Sequence, residues 1–523
     1  MTTPTSSATE EATPIDPAAL STPDGAATLT TPTLTTPIQM AAERASRRGP
    51  AELPFTFPDR GLAVALAAER SEPDWLADDR LAAWTAYDSL PVESNRLYTP
   101  YVDLRAADLS TVRPYIRTAS APAGTTGLGM ASLGAATADA TVADEATTDV
   151  ATTTAGRIEL REDGVVILEL APDAAAAGVT LETLAMALAR DPEGLRADLE
   201  GAPGLPADKF AQLARGFWSQ GVRVVVPAGV RLDRPILVRW AVGNPDRALV
   251  SRTLVRLGEG AHASLVEELV ASGPQIECAA GETVPQSCFV GTLEVVLGPS
   301  ASLAVASIQD LPANVVAFQY RHATIGAAAT LHWALAQLGG RLVRSRVDNR
   351  LEGDRASVEQ VEIVFGSDEQ LFDLTSYTHH TGRDTTGNLL SKGALKDAAR
   401  SYMKGLITID KSAVGTDSFL GEFGMNLSRQ TRAVAIPSLE IDQPDCRRAA
   451  HSSSVGPIDE SQLFYLESRG IPPDEARKFI VLGFLEPVVA RMPLAETQDR
   501  LRELLEAKWA AGSAGSAVAS GAA

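Results

Sequence analysis

The stretch "GPSASLAV", Gly298–Val305, decides the fold because its corner and its triplet recur along the chain. An Ala–Ser/Thr–aliphatic triplet follows a glycine or polar corner at Ala263–Leu265, Ala301–Leu303, Ala329–Leu331 and Ala356–Val358. The first residues of these triplets lie 301−263 = 38, 329−301 = 28 and 356−329 = 27 residues apart. A further corner at Ala413 follows after 413−356 = 57 residues, which is about two more periods. Such a repeat with glycine corners predicts stacked coils, so we expect a β-solenoid. A large antiparallel sandwich is the alternative, because period-two strands fit both folds.

Outside this repeat, composition divides the chain into further units. Thr, Pro and Ala dominate the start, which predicts disorder because too little apolar surface can be buried. A hairpin is predicted in "RIELREDGVVILEL", where alternating residues flank Asp163–Gly164. The predicted units are a disordered tail at 1–40, a helical or mixed N-terminal domain at 41–235 with a flexible Ala/Thr insertion at about 119–156, the coils at 236–456, a C-terminal helical domain at 457–510, and a disordered tail at 511–523.

The C-terminal block "DESQLFYLESRGIPPDEARKFIVLGF", Asp459–Phe484, predicts two helices. Asp459 is a suitable N-cap, Gly470 suits the left-handed residue after the first helix, and Pro473 suits the first turn of the second. The second helix carries a predicted apolar stripe of Ala476, Phe479, Ile480, Gly483, Phe484 and Val488. Such a hairpin could cover the open end of a solenoid, dock a partner, or do both.

Composition excludes several classes of protein. The net charge of −20 opposes binding to nucleic acid or to anionic lipid, both of which require a basic surface. Apolar runs are too short to span a bilayer, and the stretch before Arg44, the first basic residue, lacks the charged and apolar regions of a secretory leader. Three cysteines do not make a disulfide framework, so we expect a cytoplasmic protein in a reducing compartment.

Few residues carry a recognisable chemistry. No G-x-x-x-x-G-K-[ST] loop is present, so we expect this chain to bind and hydrolyse no nucleotide. Cys278, Cys288 and Cys446 are interpreted as ordinary thiols, because a zinc site needs further ligands nearby. Of the six histidines, His451 stands apart in "RRAAHSSSVG", a small and polar setting between the coils and the helices. No pair of carboxylates can be singled out for glycosidic chemistry.

Several stretches resemble the SufB/SufD family of iron–sulfur cluster assembly proteins. The resemblance extends over Lys209–Val489 and is most specific in the C-terminal block. It implies a right-handed parallel β-helix between N-terminal and C-terminal helical domains. The stretches are "FWSQGVRVVVPAGVRLDRPI", "HTGRDTTGNLLSKGALKDAARSYMKG", "GMNLSRQTRAVAIPSLEI" and the Asp459–Phe484 block with the preceding His451.

The resemblance implies a non-catalytic scaffold in a complex with a SufB-like paralogue and a SufC-like ABC-type ATPase. It implies that His451 lies at the cluster-assembly interface and is a metal ligand there, for a transient iron–sulfur cluster between the subunits. It also implies that the ATPase docks on the C-terminal helices. The implied docking residues are Leu463, Phe464, Tyr465, Arg469, Gly470, Phe479 and Phe484.

Differences within the family favour a SufD-like chain. Thr431 stands where SufB proteins typically carry a cysteine, and Leu466 and Ser468 stand where they tend to read "FYC" and "QRG". Two other positions depart from the family pattern and do not favour SufD: Ala449 replaces a cysteine frequent in SufD, and Gly387 replaces a serine common in the central block. A SufB-type paralogue, a β-helical carbohydrate-active enzyme and a stand-alone binding solenoid remain the alternatives.

Overall fold

The computed structural model describes residues 57–116, 153–200, 208–273 and 284–519, with side chains up to residue 511. The predicted tail at 1–40, residues 119–152 of the predicted insertion, and Cys278 lie outside the described residues. The helices are α1 (Arg60–Glu69), α2 (Asp74–Ser89), α3 (Pro172–Ala176), α4 (Leu184–Arg190), α5 (Pro192–Glu200), α6 (Lys209–Phe217), α7 (Glu460–Ser468), α8 (Pro473–Val489) and α9 (Ala495–Ala519), with a 3₁₀ turn at Thr99–Tyr101.

Strands make up most of the rest. They are β1 (Arg113–Pro114), β2 (Gly156–Arg161), β3 (Gly164–Leu170), β4 (Thr180–Thr183), β5 (Gln220–Val226), β6 (Ile236–Val242), β7 (Arg247–Leu257), β8 (His262–Ala271), β9 (Ser287–Leu297), β10 (Ser302–Gln309), β11 (Val315–Ile325), β12 (Thr330–Gln337), β13 (Leu342–Leu351), β14 (Ser357–Gly366), β15 (Leu371–His380), β16 (Thr386–Leu395), β17 (Arg400–Ile409), β18 (Asp417–Asn426), β19 (Arg432–Ile441) and β20 (Arg448–Pro457).

Successive strands alternate between two sheets, so each pair forms one coil of a parallel β-solenoid. Sheet A has the order β19-β17-β15-β13-β11-β9-β7-β5-β4, and sheet B has the order β20-β18-β16-β14-β12-β10-β8-β6-β2-β3. Eight coils run from β5–β6 to β19–β20, and all ladders between neighbouring coils are parallel. The solenoid prediction is confirmed and the antiparallel sandwich is wrong; the handedness stays a prediction.

The solenoid begins earlier than predicted. Strand β5 already pairs with β7, from Gln220 opposite Ser251, whereas the predicted boundary was 236. The predicted hairpin is present as β2–β3, but β2 also pairs in parallel with β6. These strands therefore extend sheet B beyond the first coil. The last helix continues through 511–519, inside the predicted disordered tail, since its alanines favour helix.

The repeat in the sequence marks a stacked corner. Ala301, Ala329 and Ala356 lie in one column, as their spacing predicted. The first triplet was misaligned by two residues, because Ser302 pairs with His262, which puts Ala261 in the column and not Ala263. Ala261 and Ala263 each lie three residues after a glycine. The ladder aligns Gly258, and not Gly260, with the corner glycines Gly298 and Gly326. Later coils continue the column with Thr385 and Thr416.

Corner glycines allow neighbouring coils to approach closely. A Cβ added at Gly353 would lie 2.0 Å from the backbone nitrogen of Ala327 in the coil before it. Because this neighbour is backbone, we expect Gly353→Ala to lower the free energy of unfolding by about 2–4 kcal/mol. Gly456→Ala is the control, since a Cβ there meets nothing within 4 Å. Urea denaturation of both variants tests this, and an equal effect of the two would contradict it.

The two sheets have covered outer faces. The N-terminal helices pack on sheet A, where the rings of Phe210 in α6 and Phe318 in β11 stack with centroids 4.0 Å apart. The C-terminal helices α8 and α9 pack on sheet B, with Val481 and Leu501 in one cluster with Ile363 of β14. Strands covered on both faces are apolar along most of their length, so their sequences do not show the alternation of apolar and polar residues that marks a half-exposed strand. Within the described ranges, no helix is long and apolar enough to cross a membrane.

Candidate functional site: the open end and the C-terminal helices

The last coil leaves one end of the solenoid uncovered. In the described sheets, β19 and β20 are terminal strands with no neighbour on their outer side. Residues 451–455 of β20 are exposed, whereas Leu420, Glu422 and Gly424 at alternate equivalent positions of β18 are buried. An uncovered strand edge carries free backbone donors and acceptors and readily pairs with another chain. This end is therefore a candidate interaction surface.

His451 lies on β20, the last strand at this end. It pairs with Leu420 of β18, and the same column continues through Leu389 and Gln360, which are 2% exposed or less. Side chains of this column face the interior of the solenoid in every earlier coil. In the last coil the imidazole is exposed, and it makes no side-chain hydrogen bond within the described residues. A ring in this position is free to bind a metal ion.

His380 shows the opposite environment. It is fully buried, with Nδ1 2.8 Å from Thr385 Oγ1 and Nε2 3.1 Å from Ser418 Oγ. Burial, followed by the neighbouring His379, lowers the pKa of His380 to about 4, so the ring is neutral near pH 7. Both of its nitrogens are occupied. His380 is a structural residue and provides a matched comparison for His451.

The C-terminal hairpin begins and turns as the sequence predicted. Asp459 accepts a hydrogen bond from the backbone of Ser461. Gly470 has φ +87°, and Ile471 N–H donates to Leu466 C=O, as in a Schellman ending. Pro473 is the first residue of α8.

The predicted apolar stripe of α8 is confirmed for Ala476 and Val488 and wrong for Phe479 and Gly483, which are exposed. The buried face consists of Ala476, Val481, Leu485, Val488 and Val489, which lie against sheet B and α9. Phe479 is 59% exposed. Phe484 is half-buried, and Lys392 of β16 donates to its carbonyl at 2.7 Å with Nζ 4.6 Å from its ring. Phe484 therefore helps to anchor the helix to the solenoid.

The outer surface of the hairpin is aromatic. Phe464 is 72% exposed and Tyr465 is 57% exposed, so with Phe479 three large aromatic side chains face solvent. Helix α7 has no buried residue, and the guanidinium of Arg469 lies 5.3 Å from the Tyr465 ring. Leu463 is half-buried, and Arg469 and Gly470 are exposed. The hairpin lies against the side of the solenoid, so the idea that it covers the open end is wrong.

Comparison with known proteins places this fold in a family. Residues 240–484 match the family model described as SUF system FeS cluster assembly, SufBD core domain. An iron–sulfur cluster assembly SufBD family protein of Mycobacterium tuberculosis is 30% identical over 313 residues, which are 58% of this chain and 75% of the relative. The chain belongs to the SufBD family. It is thus an iron–sulfur cluster assembly protein of the SUF system.

Other SufBD relatives extend the similarity. The iron–sulfur cluster assembly protein SufD of Bacillus subtilis is 28% identical over 302 residues, which are 57% of this chain and 67% of the relative. A SufBD family protein of Staphylococcus epidermidis is 24% identical over 440 residues, which are 83% of this chain and 90% of the relative. The SufBD core match includes His451 and both helices of the hairpin up to Phe484.

Three positions compared with the family pattern in the sequence lie in the last three coils. Thr431 is in the turn before β19, where its hydroxyl donates to Ser428 C=O at 2.8 Å. Gly387 packs tightly, since a Cβ there would lie 2.9 Å from His380 Nε2. The serine expected at that position would therefore crowd the buried histidine. Ala449 is half-buried on β20, two residues before His451.

The cysteines and acidic residues do not assemble a metal site within the described part of the chain. No group of three or more His, Cys, Asp or Glu side chains there could hold a metal ion. Cys288 is buried in β9, and burial raises the pKa of its thiol, so it remains protonated near neutral pH. Cys446 is half-buried in the connection before β20. Within the described residues, His451 therefore belongs to no such group.

The sequence did not reveal a line of polar residues inside the solenoid. Glu267, Glu362 and Glu422 occupy one core-facing column of sheet B and are buried. Burial raises the pKa of Glu362 to about 7 and that of Glu422 to about 8. Glu267 instead pairs with Arg321 at 2.7 Å. The alternation of inward-facing and outward-facing residues along each strand could have revealed this column. It was hidden because the outward-facing residues are apolar as well.

Proposed function

We propose that this chain is a SufD-like scaffold subunit that supplies His451 as an iron ligand at an interface with a SufB-like paralogue. The observation that carries the proposal is the uncovered last coil with an exposed histidine on its core-facing column. A second solenoid with a similar open end would continue the two sheets by pairing with β19 and β20. The metal position is then enclosed between two chains.

The chemistry of the ligands supports a shared site. A neutral imidazole is a suitable ligand for iron, and thiolates are the usual ligands of sulfide-bridged iron. This chain offers His451 at the open end, and Thr431 replaces the cysteine expected of a SufB-type subunit. The partner would therefore contribute the thiolate. The cluster is cargo that is built and released, which agrees with a ligand set that is incomplete in each chain alone.

We further propose that the outer surface of the C-terminal hairpin binds a SufC-like ABC-type ATPase. Exposed aromatic side chains flanked by arginine are typical of the energetic centre of a protein interface. Phe464, Tyr465 and Phe479 provide such a surface, while α8 is fixed to sheet B by its buried face. Closure of the ATPase on nucleotide would pull on α8 and be transmitted to the coils near the open end.

Recovery of the tagged full-length chain from its host, with identification of the bound proteins, tests this assembly. We expect a SufB-like paralogue and an ATPase of the ABC type in defined stoichiometry. Isolation of the chain without either protein, even from cells that contain all three, would favour a stand-alone solenoid. A cysteine-dependent cluster held by this chain alone would favour the SufB-type alternative.

Phe479→Asp should separate docking from stability. Because the side chain is 59% exposed, we expect the free energy of unfolding to change by less than about 0.5 kcal/mol. Affinity for the ATPase should fall about 30-fold or more, as for an aromatic residue at the centre of an interface. The control is Val64→Asp, which places the same charge at a 46% exposed position of α1. Calorimetric titration with the purified ATPase measures the affinity, and equal losses in the two variants would exclude docking at Phe479.

Deletion of the hairpin is a less informative test. Residues of α8 and α9 cover Ala334, Ile363 and Phe365 of sheet B, so their removal exposes an apolar surface. Loss of the ATPase from a chain truncated near Val455 could then reflect damage to the solenoid. Substitutions on the outer surface avoid this effect because they leave the buried face of α8 intact.

A further inference from the structure

A large cavity lies at the opposite end of the solenoid from His451. Its volume is about 900 Å³, which is within the range of small-molecule sites. It is bounded by the end of α1, the β2–β3 hairpin, α4 and the residues that lead into β5. The wall is mainly apolar, with Ile116, Leu160, Val165, Met186 and Leu188 among its residues. Nothing in the proposed scaffold role uses this cavity.

One cation in the wall lacks an anionic partner. Arg70 follows α1, and its guanidinium donates to Trp218 C=O at 3.4 Å and to Ser219 C=O at 2.5 Å. It forms no ion pair with any carboxylate in the described ranges. Two of its five N–H donors are thereby used. The other N–H groups remain accessible from the cavity or solvent. Arg70 has no buried side-chain nitrogen that lacks a partner.

The neighbouring charges compensate Arg70 only in part. Glu69 and Glu72 also line the cavity. Burial and Arg80 lower the pKa of Arg70, whereas Glu72 raises it. Glu72 is bound by Arg80 through two hydrogen bonds of 2.6 and 2.7 Å, so this carboxylate is already neutralised. Both guanidinium groups lie near the Trp218 ring, Arg80 at 4.5 Å and Arg70 at 5.4 Å from its centroid. Burial, followed by Arg80, lowers the pKa of Arg70 to about 10, so it still carries a full charge at neutral pH. A partly desolvated charge without a counter-ion is costly, which favours an anion beside it.

Two further polar atoms of the wall residues lack a partner within the described residues. They are Nε1 of Trp218 and Oε1 of Gln220, and both side chains are more than nine-tenths buried. Buried polar atoms are nearly always paired in native proteins, with protein groups, water or a ligand. Both atoms are sealed from solvent, so they do not face the open cavity, and the guanidinium of Arg70 is the donor that a ligand there would meet.

We propose that this cavity binds a small amphipathic carboxylate, whose charged group pairs with Arg70 and whose apolar body lies against the apolar wall. A guanidinium suits a carboxylate because its planar donors match the two oxygens in parallel hydrogen bonds. The volume accommodates a chain of the size of decanoate or a bulkier molecule. The site is independent of the proposed role of His451.

Calorimetric titration of the full-length chain tests this with three probes that share one tail: decanoate and decylamine below their micelle concentrations, and decanol below its solubility limit. We expect saturable binding of decanoate, at least about tenfold weaker binding of decanol, and no binding of decylamine. Arg70→Met should remove the preference for decanoate over decanol, and Arg70→Lys should retain part of it. Arg60→Met is the control, since Arg60 is exposed at the start of the same helix.

A substitution that fills the cavity provides an independent test of the proposed site. Ala185 is an exposed wall residue at the start of α4, so Ala185→Trp should obstruct the cavity without disturbing the core, and decanoate should no longer bind. The proposal is wrong if decanoate does not bind the unaltered chain, if decanol binds equally well, or if Ala185→Trp leaves binding unchanged. It is also wrong if an acidic amphipathic peptide binds and decanoate does not, because the cavity is then a peptide site.

Discussion

His451→Ala is expected to abolish loading of an iron–sulfur cluster on the reconstituted complex while the complex still assembles. The ring is exposed and makes no side-chain hydrogen bond within the described residues, so its loss should change the free energy of unfolding by less than about 1 kcal/mol. Pairing at the open end uses the backbone of β19 and β20, which the substitution leaves intact. Cluster iron should nevertheless fall about tenfold or more, since loss of a direct ligand exceeds the usual effect of altering its support.

His380→Ala is the matched control for this prediction. His380 is buried and bonded through both ring nitrogens, so its removal should lower stability and leave the cluster load per folded complex unchanged. Iron and acid-labile sulfide are measured on complexes of equal stoichiometry. A normal cluster load in His451→Ala would show that this histidine is not a ligand. A failure of His451→Ala to fold would show instead that its role is structural.

The sequence was sufficient for features that depend on local backbone geometry. Gly470 adopts a positive φ and Pro473 begins a helix, and both follow from steric limits that hold in any fold. The stacked corner followed from the regular spacing of Ala301, Ala329 and Ala356, because each coil must turn at the same place. The resemblance to the SufBD family added the order of the domains, and the family is confirmed.

The sequence was insufficient where packing against a distant element selects a face. In α8 the apolar residues surround most of the helix, so periodicity could not distinguish Val481, which is buried, from Phe479, which is exposed. Only the position of α9 and sheet B makes that choice. The cavity beside Arg70 was missed for the same reason, since its wall comes from segments far apart in the chain.

Lys404→Met should be among the most destabilising single substitutions in the solenoid, because it breaks a buried group of four charges. Lys404 pairs with Asp373 and lies 3.9 Å from Glu93, while Arg344 lies 2.8 Å from both carboxylates. All four side chains are 5% exposed or less. Glu93 comes from the segment after α2, and the other three come from sheet A. The group therefore clamps the N-terminal domain to the coils.

Removal of Lys404 leaves two buried carboxylates facing one guanidinium, and we expect a loss of about 3–5 kcal/mol in the free energy of unfolding. Adding Glu93→Gln restores neutrality and should recover a large part of that loss, which a simple packing defect would not. Arg350→Met is the control, since its ion pair with Glu352, just after the end of β13, is about two-fifths exposed, and we expect a change within about 1 kcal/mol. Urea denaturation measures the stability of all three variants, and limited proteolysis of residues 91–101 shows whether the contact between the domains opens locally.

If Lys404→Met unfolds at no lower urea concentration than Arg350→Met, the charges do not hold the two domains together. The contact between the domains would then depend on apolar packing such as that of Phe210 on Phe318.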